Sequence, residues 1–375
     1  MITFLALSLL LARQDPIQDL GVVGARDVLG TLEDGTGKYW MHAEKMDKPQ
    51  LCPQRFGTPP APWEFYYHTD AYVNKNLDPK SKELAPIRFR VYSQTPARNS
   101  GMGKQAAFEL LVLWRMLHDH LHLDHKMLYH DGVVDVYLCE GGEPGGEQAF
   151  EAVPNSNPPV ESNSIYIYDV AHFDDKMEQA REIAHEYGHA VIPPVGGFDG
   201  KNGAEYWANG NLGEKLFLRW GFEGIKANNL KEVCFMNTPA VAIDWWIKQH
   251  VDPLVKAAAV RPPDSPLLRG TNRAAYDAYQ GIVLWCDSIM PSAMFGRSMT
   301  LIGSERAQDY VASAVQAAEE RDYMPRIPGY VGTGPVWIPV GKGSVTGGYV
   351  LERKLGWCLV KRNGILFVHH KAESG

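Results

Sequence analysis

Cysteine is scarce and scattered in this chain of 375 residues. Cys52, Cys139, Cys234, Cys286 and Cys358 form no C-x-x-C pair, which excludes a zinc ribbon and a thioredoxin-like redox motif. In an oxidising compartment they leave room for one or two disulfides and an odd thiol, and their spacing selects no pairing. Basic runs are missing too. The formal net charge is -7 and no stretch is rich in Lys or Arg, so neither nucleic acid nor an anionic membrane surface is an expected partner. There is no internal repeat and no low-complexity tract.

Long apolar runs are absent except at the N-terminus, where Ile2 to Ala12 are almost wholly apolar. That stretch is too short to span a bilayer comfortably. It ends in a small residue before a polar run and reads as a signal peptide over residues 1–12, although its n-region carries no Lys or Arg. Export to a periplasmic or extracellular space is therefore expected, without stable membrane insertion. No cysteine follows the run, so no lipoprotein anchor is indicated.

What is present is an ordinary globular composition, 45% hydrophobic and 22% charged, in a chain long enough for two or three domains. Residues 13–84 are rich in Pro, Gly and aromatics, without a sustained period, and read as a loop-rich region with a few strands. From Ile87 to Tyr92 apolar and charged residues alternate, as in a half-buried strand. Ala106, Leu110, Leu113, Leu117 and Leu121 then recur at helical spacing, and Val133 to Leu138 forms a second strand. Glu140 to Asn163 reads as a long loop, and Ser164 to Val170 as a third strand. A helix begins near Asp174 or Asp175, where Asp175 and Glu178 suggest a capping box, and it stops at Pro193-Pro194. Further helices are expected over 203–220, 239–250, 274–290 and 304–320. Short strands after Ile327 predict a small β module over 326–375. The expected class is α+β, with the main domain over 85–325.

Residues 185–189 read His-Glu-Tyr-Gly-His. On a helix, positions i and i+4 lie one turn apart on one face, so His185 and His189 can bind one Zn²⁺ together. Glu186 can reach a metal-bound water without ligating the metal, and would act as general base. A catalytic zinc also needs a third protein ligand and an open position. The metzincin pattern would place a His at 195, which is Val195. Glu205 on the next expected helix is the better candidate, with Asn209 one turn on as acceptor for a ligand imidazole. Glu214 and Asp199 remain alternatives.

His185-Glu186-Tyr187-Gly188-His189 followed by Glu205 and Asn209 resembles the gluzincin clan of zinc metallopeptidases. In thermolysin-like members the third ligand opens a Glu-x-x-x-Asp arrangement, and Asn209 stands where that Asp would be. The resemblance covers about residues 85 to 300. It implies a zincin-like catalytic domain, one Zn²⁺ per chain, a peptide or protein substrate and hydrolysis of peptide bonds. It also implies an edge strand, Ile165 to Val170, that pairs with extended substrate. In several gluzincins a helix carries a tyrosine near a glycine that assists the oxyanion. The aminopeptidase-like register would put it at Ala278, which leaves Tyr276 and Tyr279 as the candidates here.

Other features have plainer readings. His118, His122 and His125, with His120 and His130 nearby, read as a solvated helix end rather than a second metal site. Gly141 to Gly146 has Glu140 and Glu143 beside its glycines, which would repel phosphate, so a mobile loop near the active-site edge is expected. Trp245-Trp246 reads as core. The alternative function is a non-catalytic exported binding protein on the same scaffold, and an intact Glu186 disfavours it.

Overall fold

A computed structural model describes residues 27–33, 40–46, 50–51, 64–65, 67–74, 84–93, 96–123, 133–142, 144–152, 161–170, 172–173, 175–198, 206–261, 265–302, 306–320, 349–352, 357–362 and 365–370. The expected signal peptide, Glu205, Asp199, His125, His130 and the strand at 336–340 lie outside these residues.

The described residues form a mixed α+β structure that divides into two compact units. The first takes residues up to Trp114, His125–Glu186 and Gly221–Ala240. Its strands are β1 (Asp27–Glu33), β2 (Trp40–Met46), β3 (Gln50–Leu51), β4 (Glu64–Phe65), β5 (Tyr67–Asn74), β6 (Leu84–Ser93), β7 (Val133–Leu138), β8 (Gly145–Ala152) and β9 (Glu161–Tyr168). Seven of them make one sheet in the order β1-β2-β5-β6-β7-β9-β8, while β3 and β4 pair separately. β6, β7 and β9 run parallel and β8 closes the edge antiparallel to β9. β5 pairs with β6, so the sheet continues through the boundary expected at residue 84.

Alternation explains why β6, β7 and β9 stack as they do. Phe89, Val91, Val134, Val136, Leu138, Ile165 and Ile167 share one face and are buried, and burial of such side chains is the main favourable term in folding. On the other face Tyr92, Tyr137 and Tyr166 sit opposite one another in register and stack at 4.9 and 4.8 Å. Tyr168 extends the stack, and its hydroxyl lies 3.4 Å from Glu147 of β8. Arg90 on β6 grips the directly opposed Asp135 on β7 through two nitrogens.

β8 corrects two expectations. The stretch from Glu140 to Asn163 is not one long loop, because Gly145–Ala152 is a strand. Nor is Ile165 to Val170 the free edge, since β9 is hydrogen-bonded on both sides and β8 takes the outer place.

The helices are α1 (Pro96–Met116), α2 (Lys176–Val191), α3 (Asn209–Lys226), α4 (Ala240–His250), α5 (Asp252–Val260), α6 (Arg273–Ile289), α7 (Ser292–Thr300) and α8 (Ala307–Glu319). Ala106, Leu110, Leu113, Leu117 and Leu121 are all buried, as their spacing requires. α2 belongs to the first unit up to Glu186 and to the second from Tyr187. The second unit also holds most of α3, then α4 to α8 and a three-stranded antiparallel sheet of β10 (Tyr349–Glu352), β11 (Trp357–Arg362) and β12 (Ile365–His370). On α4, Trp246 is buried but Trp245 is 62% exposed, so only Trp246 is core. Cys139, Cys234 and Cys286 are buried and no disulfide joins them. No helix among the described residues is long and apolar enough to cross a membrane.

The chain after α1 widens into a π-helical turn, Leu117–Leu121, and ends on a left-handed His122 whose N–H bonds His118 O. His120 from this turn stacks on Trp220 with centroids 4.3 Å apart. The indole N–H of Trp220 donates to Asp287, which also pairs with Arg219. Burial pushes the His120 imidazole down to about 4, with Arg219 and Arg115 adding to the effect. The unfolded chain therefore binds more protons than the fold between that value and the ordinary 6.5, and stability falls as pH drops through this window. Urea unfolding at pH 7 and pH 4.5 checks this. His120→Gln should remove on the order of 2 kcal/mol of the wild-type acid loss; an unchanged pH slope would contradict the assignment.

Candidate metal centre

α2 starts where Asp175 accepts the N–H of Met177 at 2.9 Å, so the helix is capped by the side chain expected from sequence. The helix carries His185, Glu186 and His189 as a close group, with ligand atoms within 4.8 Å of one another. Both imidazoles are partly exposed and Glu186 is 3% exposed. Nε2 of His185 lies 4.0 Å from Oε1 of Glu186. Two nitrogen donors one turn apart beside a buried carboxylate are a donor set suited to a divalent metal.

Asn209 explains how the second imidazole is held. Its Oδ1 lies 2.9 Å from Nδ1 of His189, and its Nδ2 donates to the carbonyls of His189 and Ile192 at 3.0 and 3.2 Å. Because the amide nitrogen faces two carbonyls, the amide oxygen is the acceptor and Nδ1 carries the proton. That tautomer leaves the Nε2 lone pair for a metal. The carbonyl of His189 would ordinarily bond the N–H four residues on, but that residue is Pro193, which has none. Asn209 supplies the missing donor. An Asp here would turn a carboxylate towards two carbonyl oxygens, which accounts for the amide at this position.

The route into Asn209 differs from the expected one. α3 starts at Asn209 rather than near Gly203, and Tyr206 to Ala208 are not helical. Instead Phe198 N–H bonds Tyr206 O at 3.3 Å, and Ala208 N–H bonds Val195 O at 2.9 Å. Glu205 itself lies outside the described residues. The alternative ligand Glu214 is buried on α3 and is not a member of the His185–Glu186–His189 group.

Two close approaches, at glycines, fix the surroundings. A Cβ on Gly188 would stand 2.8 and 2.9 Å from the carbonyl oxygens of Asn209 and Gly210 and 3.0 Å from Cα of Gly213. These are backbone atoms that cannot rotate away, so α2 and α3 meet as closely as they do only because Gly188 and Gly213 have no side chains. A Cβ on Gly146 would stand 2.5 Å from Cγ and 2.7 Å from Oε1 of Glu186, and 2.8 Å from Oε1 of Glu182. Edge strand β8 thus lies directly against the general-base candidate. Gly146 ends the Gly141–Gly146 stretch expected as a loop near the active-site edge and instead lies in β8, while nothing in the sequence pattern points to Glu182.

The two candidate oxyanion tyrosines are buried in the core. Tyr276 and Tyr279 are 0% and 1% exposed on α6. Both rings pack on Phe198, and Tyr279 also meets Tyr310 edge-on. Burial pushes the Tyr279 phenol far above its ordinary value. Their placement is that of packed core aromatics. Among the described histidines at the end of α1, none joins a metal-type group.

Comparison with known proteins finds no matching family model, no matching curated protein and no matching solved structure.

Asn209→Asp tests the amide's double role. It should cost about 1–3 kcal/mol of stability through the lost donors to His189 and Ile192. It should also weaken metal binding by roughly tenfold or more. A variant as stable as wild type in thermal unfolding would show that the carbonyls do not depend on Asn209.

Proposed function

We propose that the chain is a zinc-dependent peptidase of gluzincin type, with a zincin-like fold. The observation that carries this reading is the His185–Glu186–His189 group on one helix, with His189 oriented by Asn209. His185 and His189 would hold the metal through imidazole nitrogens, and Glu205 would complete the ligand set. Zinc held there would supply Lewis acidity to the reaction. Glu186 would accept the proton of the attacking water and deliver it to the leaving amine. Its burial, and the absence of a side chain at Gly146, keep the carboxylate in place beside the edge strand.

The outer edge of β8 is the strand available to an extended substrate, taking the role first expected of β9. Export of the chain through its apolar N-terminus belongs to the same proposal, since an unrestrained peptidase is best kept away from the cell's own proteins. A non-catalytic binding protein on this scaffold is the competing reading, and no feature of the site favours it.

Hydrolysis of casein with and without a chelator is the direct test. Glu186→Gln should abolish turnover, by about a thousandfold or more, while leaving the metal bound. Gly146→Ala should rotate Glu186 out of place and lower turnover at least tenfold, again with the metal retained. Wild-type rates in Glu186→Gln would refute the general-base assignment.

A further inference from the structure

A cavity of about 610 Å³ opens in the second unit. Its walls include Gly197, Phe198, Tyr206, Arg269, Thr271 and Arg306. Gly197 and Phe198 belong to the segment that leaves α2 eight and nine residues after His189. Tyr206 belongs to the segment that leads into Asn209, and the two segments are joined by the Phe198–Tyr206 and Ala208–Val195 bonds. Gly196 to Phe198 and Tyr206, the parts of the chain that follow His189 and precede Asn209 among the described residues, therefore line the cavity.

Two arginines also line the cavity. Arg269 closes the short 3₁₀ turn Pro266–Arg269, and Arg306 stands at the N-cap of α8. Both are exposed, and no Asp or Glu is among the described residues lining the cavity. Arg269 makes no ion pair among the described residues. Its guanidinium is a planar fork of donors that matches a carboxylate in two bonds. The Thr271 hydroxyl adds a donor that can turn to suit. Phe198 and the half-exposed Tyr206 give the cavity an apolar body beside this cationic end. A concave site with an apolar lining and a few convergent polar groups is the form ligand sites take.

We propose that this cavity is a specificity subsite for a carboxylate of the substrate, so that the protein prefers acidic peptides. The inference rests on the peptidase reading only for the class of ligand; the cationic cavity stands without it. The carboxylate can belong to an Asp or Glu side chain or to a free C-terminus, since Arg269 recognises the group and not its source. The chain's overall charge of -7 would repel such peptides, so the guanidinium of Arg269 at the cavity is what makes their capture favourable.

The test is binding of labelled short peptides to the full-length Glu186→Gln chain, followed by fluorescence anisotropy. One peptide carries internal glutamates and is capped at both ends. A second is neutral with a free C-terminal carboxylate, and a third is neutral and capped. The expected result is that at least one of the first two binds about tenfold or more tighter than the third. Arg269→Gln and Arg306→Gln should each reduce that preference several-fold, while Lys256→Gln, which removes an exposed charge that does not line the cavity, should leave it. Equal binding of all three peptides, or a preference that survives both arginine variants, would overturn the proposal. A chain that shows the preference but cleaves no peptide under any metal condition would refute the peptidase reading and leave the subsite intact.

Discussion

The amide of Asn209 holds together the end of α2, the start of α3 and the tautomer of His189. α2 must stop at Pro193-Pro194, and the stop strips the His189 carbonyl of its usual partner. A buried orphan carbonyl costs about as much as a lost hydrogen bond. Asn209 removes that cost with one donor group and, with its oxygen, fixes the ring on the same residue. Stability and metal readiness are thus coupled through a single side chain that is 5% exposed. Moving α3 by a fraction of an ångström would disturb both, and the backbone contacts of Gly188 against Asn209, Gly210 and Gly213 leave little room for such movement.

A second contact brings the sheet to the same helix. β8 reaches Glu186 because Gly146 presents no side chain to it. The strand is held on its inner side by β9 and carries Glu147 and Glu151, charges of the kind that discourage edge-to-edge association. Glu186, 3% exposed, is held away from bulk water under this strand. Glu182 meets the same point of β8 one turn earlier on α2, so the strand rests on a pair of carboxylate side chains.

Much of this was legible in the chain before any coordinates. Alternation marked β6, apolar runs marked β7 and β9, and the 3- and 4-residue spacing of apolar residues marked α1. The His-Glu-Tyr-Gly-His run on a helix ended by two prolines carries its own geometry. β8 was hidden because Gly, Glu, Gln and Ala are poor strand formers, and only pairing with β9 makes them extended. The start of α3 was hidden for a related reason. Ala204 to Ala208 has ordinary helical composition, but Tyr206 and Ala208 spend their hydrogen bonds on Phe198 and Val195 instead. Asn209 was legible as an acceptor for a ligand imidazole. Its two donor bonds were not, because they depend on where the carbonyls of α2 end up in space.

The account's central claim is that this helix binds a metal through two imidazoles. Zinc content per purified chain, measured for wild type and His189→Ala side by side, tests it most directly. The account predicts about one zinc in wild type and a loss of nearly all of it in the variant. A well-folded wild type that holds no zinc even after incubation with the metal, or a variant that keeps a full complement, would contradict it.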